Sequence, residues 1–144
     1  MIDPEALRQR MTTVARDQSF ADSEPKDAAT LILIDRSGAE PKVLMGRRHS
    51  GLKFMPGKFV FPGGRIEPSD ALMPSVGELD PRAAAKLAQR IDASVPAARA
   101  FALATIRETC EETGLLLGQK RDTPPSVPNE EWQPFAAAAI HPDL

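Results

Sequence analysis

Residues 107–115 read Arg-Glu-Thr-Cys-Glu-Glu-Thr-Gly-Leu, and this stretch decides which fold and which chemistry the sequence predicts. On an α-helix, positions i, i+3 and i+4 share a face, so Glu108, Glu111 and Glu112 are expected to converge within about one turn. Arg107 precedes Glu111 by four positions and can neutralise and orient it. Carboxylates this close repel one another unless a cation lies between them. Oxygen-rich clusters suit Mg²⁺ or Mn²⁺ better than zinc.

An acidic stretch of this kind has an ordinary alternative, which is the solvated face of a surface helix. The opposite face of the predicted helix carries Leu103, Ile106 and Cys110, and such a helix is expected to be anchored to a core, with Cys110 as a buried structural thiol. Upstream, Gly63 and Gly64 stand where a short strand is expected to end. They could let the backbone approach a phosphate or offer a carbonyl to a metal, with an ordinary turn as the alternative.

Together these segments resemble the Nudix box, the signature of the Nudix hydrolases, which reads Gly-x5-Glu-x7-Arg-Glu-U-x-Glu-Glu-x-Gly-U, where U is a bulky aliphatic residue. The second half matches at Arg107, Glu108, Glu111, Glu112, Gly114 and Leu115, with Thr109 at the first U. The first half departs, because the spacing from Gly64 arrives at Asp70 rather than at a glutamate. Between Asp70 and Arg107 lie 36 residues where the signature has seven, a surplus of 29. Glu67 is the alternative acid.

A narrower resemblance covers residues 44–67, LMGRRHSGLKFMPGKFVFPGGRIE. This segment is similar to the signature of the coenzyme A diphosphatase branch, and the insertion inside the box is similar to its peroxisomal-type subgroup. The resemblance implies that Arg47, Arg48 and Lys53, together with Gly64, contact substrate phosphates. Solvent-facing charges at a strand end are the alternative for the two arginines. For His49, an exposed loop position is favoured over a phosphate contact.

The activity implied by the resemblance is hydrolysis of a nucleoside diphosphate linked to another moiety, by attack of water on the pyrophosphate. Coenzyme A or its derivatives are favoured as substrate over ADP-ribose or a nucleotide sugar, and a non-catalytic nucleotide-binding module is the alternative from another class. The implied cofactor is Mg²⁺ or Mn²⁺. The implied ligands are Glu108, Glu111, Glu112 and the Gly63 carbonyl. The implied catalytic residues are Glu108, Arg107 and Glu111. Asp70 or Glu67 would hold these residues in position without contacting the substrate.

Composition narrows the class of protein further. The chain has 144 residues and a formal net charge of −2, which disfavours a nucleic-acid coat. One cysteine and two histidines exclude an intramolecular disulfide framework and a zinc-finger-type cluster. No apolar run approaches the roughly 18 residues that span a bilayer, and the polar N-terminus is unlike a secretory signal. We therefore expect a cytoplasmic location and a small-molecule substrate, with neither nucleic acid nor membrane as partner. Whether the chain forms a homodimer is left open.

Hydrophobic periodicity and capping signals predict the order of the elements. The N-terminal part is a helix at 3–16 within an arm at 1–27, and the domain itself covers 28–144. The elements expected after the arm are a strand at 28–35 covered on both faces, a return strand at 42–47, a short strand at 58–61, a helical insertion at about 71–99 containing a helix at 80–92, the acidic helix from 94–96 to Gly114, a strand at 115–117, and a helix at 130–140 interrupted by Pro134.

The fold class expected is α/β, a Nudix-type α/β/α sandwich around a mixed sheet. The arm takes 27 residues and the insertion 29, which leaves 88 of 144 for the core. Only 115–144 follow the acidic helix, and they show little strand character. We therefore expect an incomplete C-terminal part, completed by a partner chain. Trp132 and Phe135 are expected to be packing residues. Some Nudix hydrolases also use an acidic residue C-terminal to the Nudix box, and Glu130 and Glu131 are the glutamates available for that role here.

Overall fold

The computed structural model describes residues 3–13, 24–52, 55–89 and 98–144. Four α-helices lie in these ranges: α1 (Pro4–Thr13), α2 (Pro81–Ala88), α3 (Ala98–Thr113) and α4 (Gln133–Ala138), with two 3₁₀ helices at Pro68–Leu72 and Glu130–Trp132. The strands are β1 (Ala28–Thr30), β2 (Ile34–Asp35), β3 (Lys42–Val43), β4 (Gly46–Arg47), β5 (Phe59–Val60), β6 (Gly63–Arg65), β7 (Gly118–Lys120) and β8 (Ile140–Pro142). In the described ranges, no helix is both long and apolar enough to cross a membrane.

The strands pair as four two-stranded ladders, all antiparallel: β1 with β6, β2 with β3, β4 with β5, and β7 with β8. Within the described ranges the parallel contact is an isolated bridge between Val76 and Asp143. The described residues therefore combine helices and strands as expected of an α/β protein, and their strand pairs are antiparallel; the mixed sheet stays a prediction. The three-layer sandwich stays a prediction.

The aliphatic run at 28–35 is covered on one face only, which corrects the expectation of a strand buried on both. The strand is interrupted between Thr30 and Ile34, so β1 and β2 replace one continuous strand. Leu31 and Leu33 are half-buried, whereas Ile32 is 58% exposed. This alternation arises because α3 packs against the β1–β6 ladder from one side. The return strand at 42–47 is present as β3 and β4.

Helix α3 carries the core of the molecule. Leu103, Ile106 and Cys110 pack with Met73, Trp132 and Phe135, and the Trp132 and Phe135 ring centroids lie 5.1 Å apart. The predicted packing roles of Cys110, Trp132 and Phe135 are therefore confirmed. Helix α3 ends at Gly114, whose φ of +74° and N–H bond of 2.7 Å to the Cys110 carbonyl form the expected C-terminal cap.

The segment before α3 is held by capping and by one arginine. Asp80 caps α2, since its carboxylate accepts from the backbone N–H groups of Arg82 and Ala83. Arg99 donates to the Met73 carbonyl at 2.9 Å and to the Ser75 hydroxyl at 2.8 Å, which ties the end of the first 3₁₀ helix to α3. The predicted helix at 80–92 is present as Pro81–Ala88, and residues 90–97 lie outside the described ranges.

The C-terminal segment differs from its prediction in two ways. The strand expected at 115–117 is absent there, because Leu116 and Leu117 pack against the core, and the strand β7 begins at Gly118 instead. Strand β8 pairs with β7, so 115–144 has more strand character than its composition suggested. Pro134 lies in the first turn of α4 instead of interrupting a helix, since a first-turn residue needs no N–H donor.

The N-terminal helix can be compared with the structure. The helix predicted at 3–16 is confirmed over Pro4–Thr13, and the Asp3 carboxylate accepts from the Glu5 N–H at 3.0 Å, which caps the helix. The remaining residues of that prediction, 14–16, lie outside the described ranges.

Candidate active site

Arg107 is the centre around which the acidic residues are arranged. It is 2% exposed, and each of the five N–H donors of its guanidinium has an acceptor. Nε donates to Asp70 Oδ1 at 2.8 Å. Nη2 donates to Asp70 Oδ2 at 3.2 Å and to the Arg65 carbonyl at 2.9 Å. Nη1 donates to Glu108 Oε1 at 3.1 Å and to Glu111 Oε1 at 2.8 Å. A fully engaged guanidinium has no donor left for a substrate. Arg107 can therefore orient carboxylates but is not placed to bind a phosphate.

Asp70 is the buried counterpart of Arg107. Its side chain is fully buried in the first 3₁₀ helix, and its Oδ2 also accepts from the Glu67 N–H at 2.9 Å. Burial alone would lower the pKa of Arg107, but the hydrogen bonds to Asp70 and Glu111 outweigh that effect and raise the pKa above its ordinary value. Of the two acids that the sequence left open, Asp70 rather than Glu67 forms the ion pair.

The glycine pair serves the site sterically. The short strand expected at 58–61 is present as β5 and ends before the pair, and the two glycines themselves begin the next strand, β6. A Cβ on Gly64 would occupy the position of the Glu108 carboxyl group. A Cβ on Gly63, where φ is +155°, would lie 2.7 Å from the Thr30 Cα. Glycine at both positions therefore lets β1, β6 and the Glu108 side chain approach one another closely.

The register of the β1–β6 ladder fixes the direction of the Gly63 carbonyl. Leu31 donates to the Pro62 carbonyl at 2.9 Å and Ile66 to the Asp27 carbonyl at 3.1 Å, so these pairs alternate with the non-hydrogen-bonded pair of Gly63 and Thr30. The Gly63 carbonyl consequently points away from β1, to the same side as the Arg65 carbonyl that accepts from Arg107. This orientation is compatible with the metal contact expected of Gly63.

The glutamates of α3 differ in their surroundings. Glu108 is 16% exposed, and burial raises its pKa against the opposing charge of Arg107. Glu111 is 41% exposed and is held at Oε1 by Arg107, whereas Glu112 is exposed. In the part of the chain that the structure describes, no three His, Cys, Asp or Glu side chains are grouped to hold a metal ion. The donor chemistry of these three carboxylates fits a hard divalent cation.

A cleft of about 270 Å³ lies beside the acidic helix. Its lining consists of Gly46, Arg47, Arg48, Leu52, Val60, Pro62, Glu112 and Thr113. The structure therefore brings Arg47 and Arg48, the expected phosphate contacts, to the same cleft as Glu112. Thr113 was not anticipated, and the signal available was its position next to Glu112 on the helix. Lys53, the third expected contact, lies outside the described residues.

Glu67 lies near an acid from the far end of the chain. The negative charge of Glu131 is the first cause that raises the pKa of Glu67, followed by burial, while Arg107 opposes the shift. Glu131 belongs to the second 3₁₀ helix, which packs against α3. A glutamate beyond the acidic helix therefore reaches the neighbourhood of Asp70 and Arg107.

The chain is similar to a solved structure. A crystal structure described as a NUDIX hydrolase from Alicyclobacillus acidocaldarius is similar, with 31% sequence identity and a TM-score of 0.49. The match covers 79% of this chain and 50% of that one, so the chain spans about half the length of the solved protein. No protein-family model matches the chain, and no curated protein does.

Proposed function

We propose that this chain is a Nudix-type hydrolase domain that uses Mg²⁺ or Mn²⁺ to cleave a nucleoside diphosphate linked to another moiety. One observation carries the proposal: the buried two-point ion pair between Asp70 and Arg107. It joins the first acidic position of the signature to its Arg-Glu half across 36 intervening residues. A solvated acidic surface helix would have no reason to bury an arginine against such a partner, because burying an ion pair costs free energy unless its geometry is good.

The roles of the residues follow from their surroundings. Glu108, Glu111 and Glu112 would hold the metal together with the Gly63 carbonyl. The bound metal would neutralise charge on the pyrophosphate and lower the pKa of a coordinated water. Arg107 would keep the Oε1 atoms of Glu108 and Glu111 in place, and Asp70 would hold Arg107. Arg47 and Arg48 would bind substrate phosphate in the cleft that Glu112 also lines.

The favoured substrate is coenzyme A or one of its derivatives. The support for this choice is the similarity of residues 44–67 to the coenzyme A diphosphatase signature, and Arg47 and Arg48 of that segment lie at the cleft. ADP-ribose and nucleotide sugars are the alternative substrates with the same bond.

The test is hydrolysis of coenzyme A by the purified protein with Mg²⁺, with phosphopantetheine and adenosine 3′,5′-bisphosphate as products. Glu112→Gln should lower kcat by about a hundredfold or more, because it removes a charge aimed at the metal. Glu78→Gln, which changes another exposed glutamate, should leave kcat as in the unmodified protein. If no diphosphate of a broad panel is cleaved with metal present, the proposal is wrong.

A second candidate is a nucleotide-binding module without catalysis. It is favoured by the lack of a pre-grouped metal site among the described side chains. Calorimetry separates the two candidates, since the module should bind a nucleotide diphosphate with no Mg²⁺-dependent product. A Mn²⁺ titration followed by proton relaxation shows in addition whether the acidic helix binds metal at all.

A further inference from the structure

The insertion expected at 71–99 begins and ends beside one side chain, that of Arg99. Arg99 is the second residue of α3 and is half-buried. Its Nη1 donates to the Ala71 carbonyl at 3.4 Å, and its Nη2 donates to the Met73 carbonyl at 2.9 Å and to the Ser75 hydroxyl at 2.8 Å. These acceptors precede Arg99 by 24 to 28 positions. The guanidinium therefore joins the first residues of the insertion to its last.

The position of Arg99 in the first turn of α3 is electrostatically unfavourable for the helix itself. The free N–H groups of a first turn carry partial positive charge, so acidic side chains are favoured there and cations are favoured at the opposite end. The first turn of α3 contains no acidic residue. The favourable free energy of Arg99 must then come from its three acceptors, and hydrogen bonds from a charged donor are strong enough to provide it. Arg99 therefore serves the contact with 71–75 rather than the helix.

A short series of hydrogen bonds connects Arg99 with Asp70. Met73, whose carbonyl accepts from Arg99, donates its N–H to the Asp70 carbonyl at 3.4 Å. The other end of the same 3₁₀ helix is held by Glu67, whose N–H donates to Asp70 Oδ2 at 2.9 Å and whose carbonyl accepts from the Asp70 N–H at 3.0 Å. Asp70 is thus fixed to α3 in two ways, directly by Arg107 and through Met73 by Arg99. The two arginines are separated by about 12 Å along the helix axis.

We propose that Arg99 is a positioning residue for the candidate active site, because it closes the insertion at its base and so keeps Asp70 against Arg107. The Nudix signature has seven residues between these two positions and this chain has 36, so a short connection does not restrict them here. Closing a longer loop costs more conformational entropy, which contacts at its base must offset. Arg107 in turn holds Glu108 and Glu111. The inference rests on the proposed function where it concerns metal binding, and otherwise on the contacts of Asp70.

Hydrogen exchange at the Arg107 side chain tests this assignment without metal or substrate. The Arg107 Nε–H donates to Asp70 Oδ1, so its exchange with solvent, followed by NMR, requires the buried pair to open. Arg99→Met keeps a long apolar side chain but removes the donors, and we expect the Nε–H exchange to become about tenfold faster or more. Arg99→Lys retains a charged donor and should give an intermediate rate. Arg82→Met, the matched control at an exposed arginine of α2, should leave the rate unchanged.

A purely structural role for Arg99 would affect the opening of the whole protein alike. The backbone N–H of Ile106, a buried residue in the middle of α3, reports on such general opening. We expect its exchange in Arg99→Met to rise by a smaller factor than that of the Arg107 Nε–H. Equal factors for the two groups, or an unchanged Nε–H rate, would overturn the assignment.

Mn²⁺ binding, measured by proton relaxation, extends the test to the metal site. Arg99→Met should weaken binding about three- to tenfold, at the lower end of what the loss of a group supporting metal ligands causes. Arg82→Met should bind Mn²⁺ as the unmodified protein does. An unchanged Mn²⁺ affinity in Arg99→Met would also overturn the assignment. If the unmodified protein binds no Mn²⁺, the proposed function fails, and the exchange rates at Arg107 and Ile106 alone decide on Arg99.

Discussion

The carboxylate of Asp70 and the guanidinium of Arg107, 37 positions apart in the chain, form a two-point ion pair that is almost completely buried. Asp70 lies in the first 3₁₀ helix and Arg107 in the middle of α3. Their contact holds the end of the β6 segment against the acidic helix. The positions of Glu108 and Glu111 depend on it, because both accept from Arg107.

Asp70→Ala should therefore destabilise the protein strongly. Arg107 would stay buried after losing its two-point partner, and breaking a buried pair in this way costs about 3–5 kcal/mol. Urea unfolding measures the change. Asp122→Ala is the matched control at an exposed aspartate, where the change should stay within about 0.5 kcal/mol. Equal unfolding midpoints for the two variants would show that the Asp70–Arg107 pair does not hold these segments together.

Gly64→Ala should disturb the site more than its size suggests. The new methyl group would occupy the position of the Glu108 carboxyl group, so this side chain must leave Arg107. We expect a stability loss of about 1–3 kcal/mol, typical of overpacking, together with weaker Mn²⁺ binding in a relaxation titration. Gly38→Ala is the control, since its nearest neighbour would be 3.9 Å away. Unchanged Mn²⁺ affinity in Gly64→Ala would mean that Glu108 does not need its present position.

Glu131→Gln should change the pH dependence of stability. Because the folded-state pKa of Glu67 is raised above its ordinary 4.5, the folded state binds more protons in that window. The free energy of unfolding consequently falls as the pH rises from 4.5 through the raised value. Glu131→Gln removes the first cause of the shift, so the variant should be the more stable protein at pH 7 and equal to the unmodified one below about pH 4.

The control for this pH profile is Glu130→Gln, a change of the same kind at the neighbouring exposed residue. Urea unfolding at several pH values between 3.5 and 7 gives the comparison. If both glutamine variants show the same profile, repulsion between Glu67 and Glu131 is not its cause.

Trp132 gives a prediction about the core. Its side chain is fully buried, and its indole Nε1 has no hydrogen-bond partner in the described part of the chain. Trp132→Phe keeps an aromatic ring and removes the unsatisfied donor, so we expect a loss below about 1.5 kcal/mol. Trp132→Ala should cost about 3–5 kcal/mol because it leaves a cavity. Thermal unfolding by circular dichroism distinguishes them, and equal losses would indicate that Nε1 does have a partner.

Local sequence signals were sufficient to predict the helices whose apolar spacing and capping residues agree. Helix α3 was predictable because its apolar spacing and Gly114 agree, and α2 because an aspartate–proline pair begins it. The packing of Cys110, Trp132 and Phe135 followed from residue type. The choice of Asp70 over Glu67 could not be made in the same way, because it depends on where the chain brings Arg107.

Features that depend on distant neighbours escaped prediction. For Gly63 and Gly64 the sequence left a close backbone approach to a ligand and an ordinary turn open, and it could not show that their neighbours are β1 and the Glu108 side chain, more than 30 positions away in each direction. The apolar run at 28–35 indicated burial without showing how many faces would be covered. Metal ligation and substrate contacts stay predictions, although Arg47, Arg48 and Glu112 line one cleft.

The separation of Asp70 and Arg107 along the chain has a consequence for length variation. The entropy of closing a loop grows only with the logarithm of its length, so each doubling costs about 0.6 kcal/mol. Residues 78–89 contain no buried residue and no ligand of the proposed site. Because the ion pair fixes the two ends, this stretch can differ in length with little effect on the geometry at Arg107. The Asp70–Arg107 ion pair thus holds the acidic site together, and the number of residues between Asp70 and Arg107 can vary.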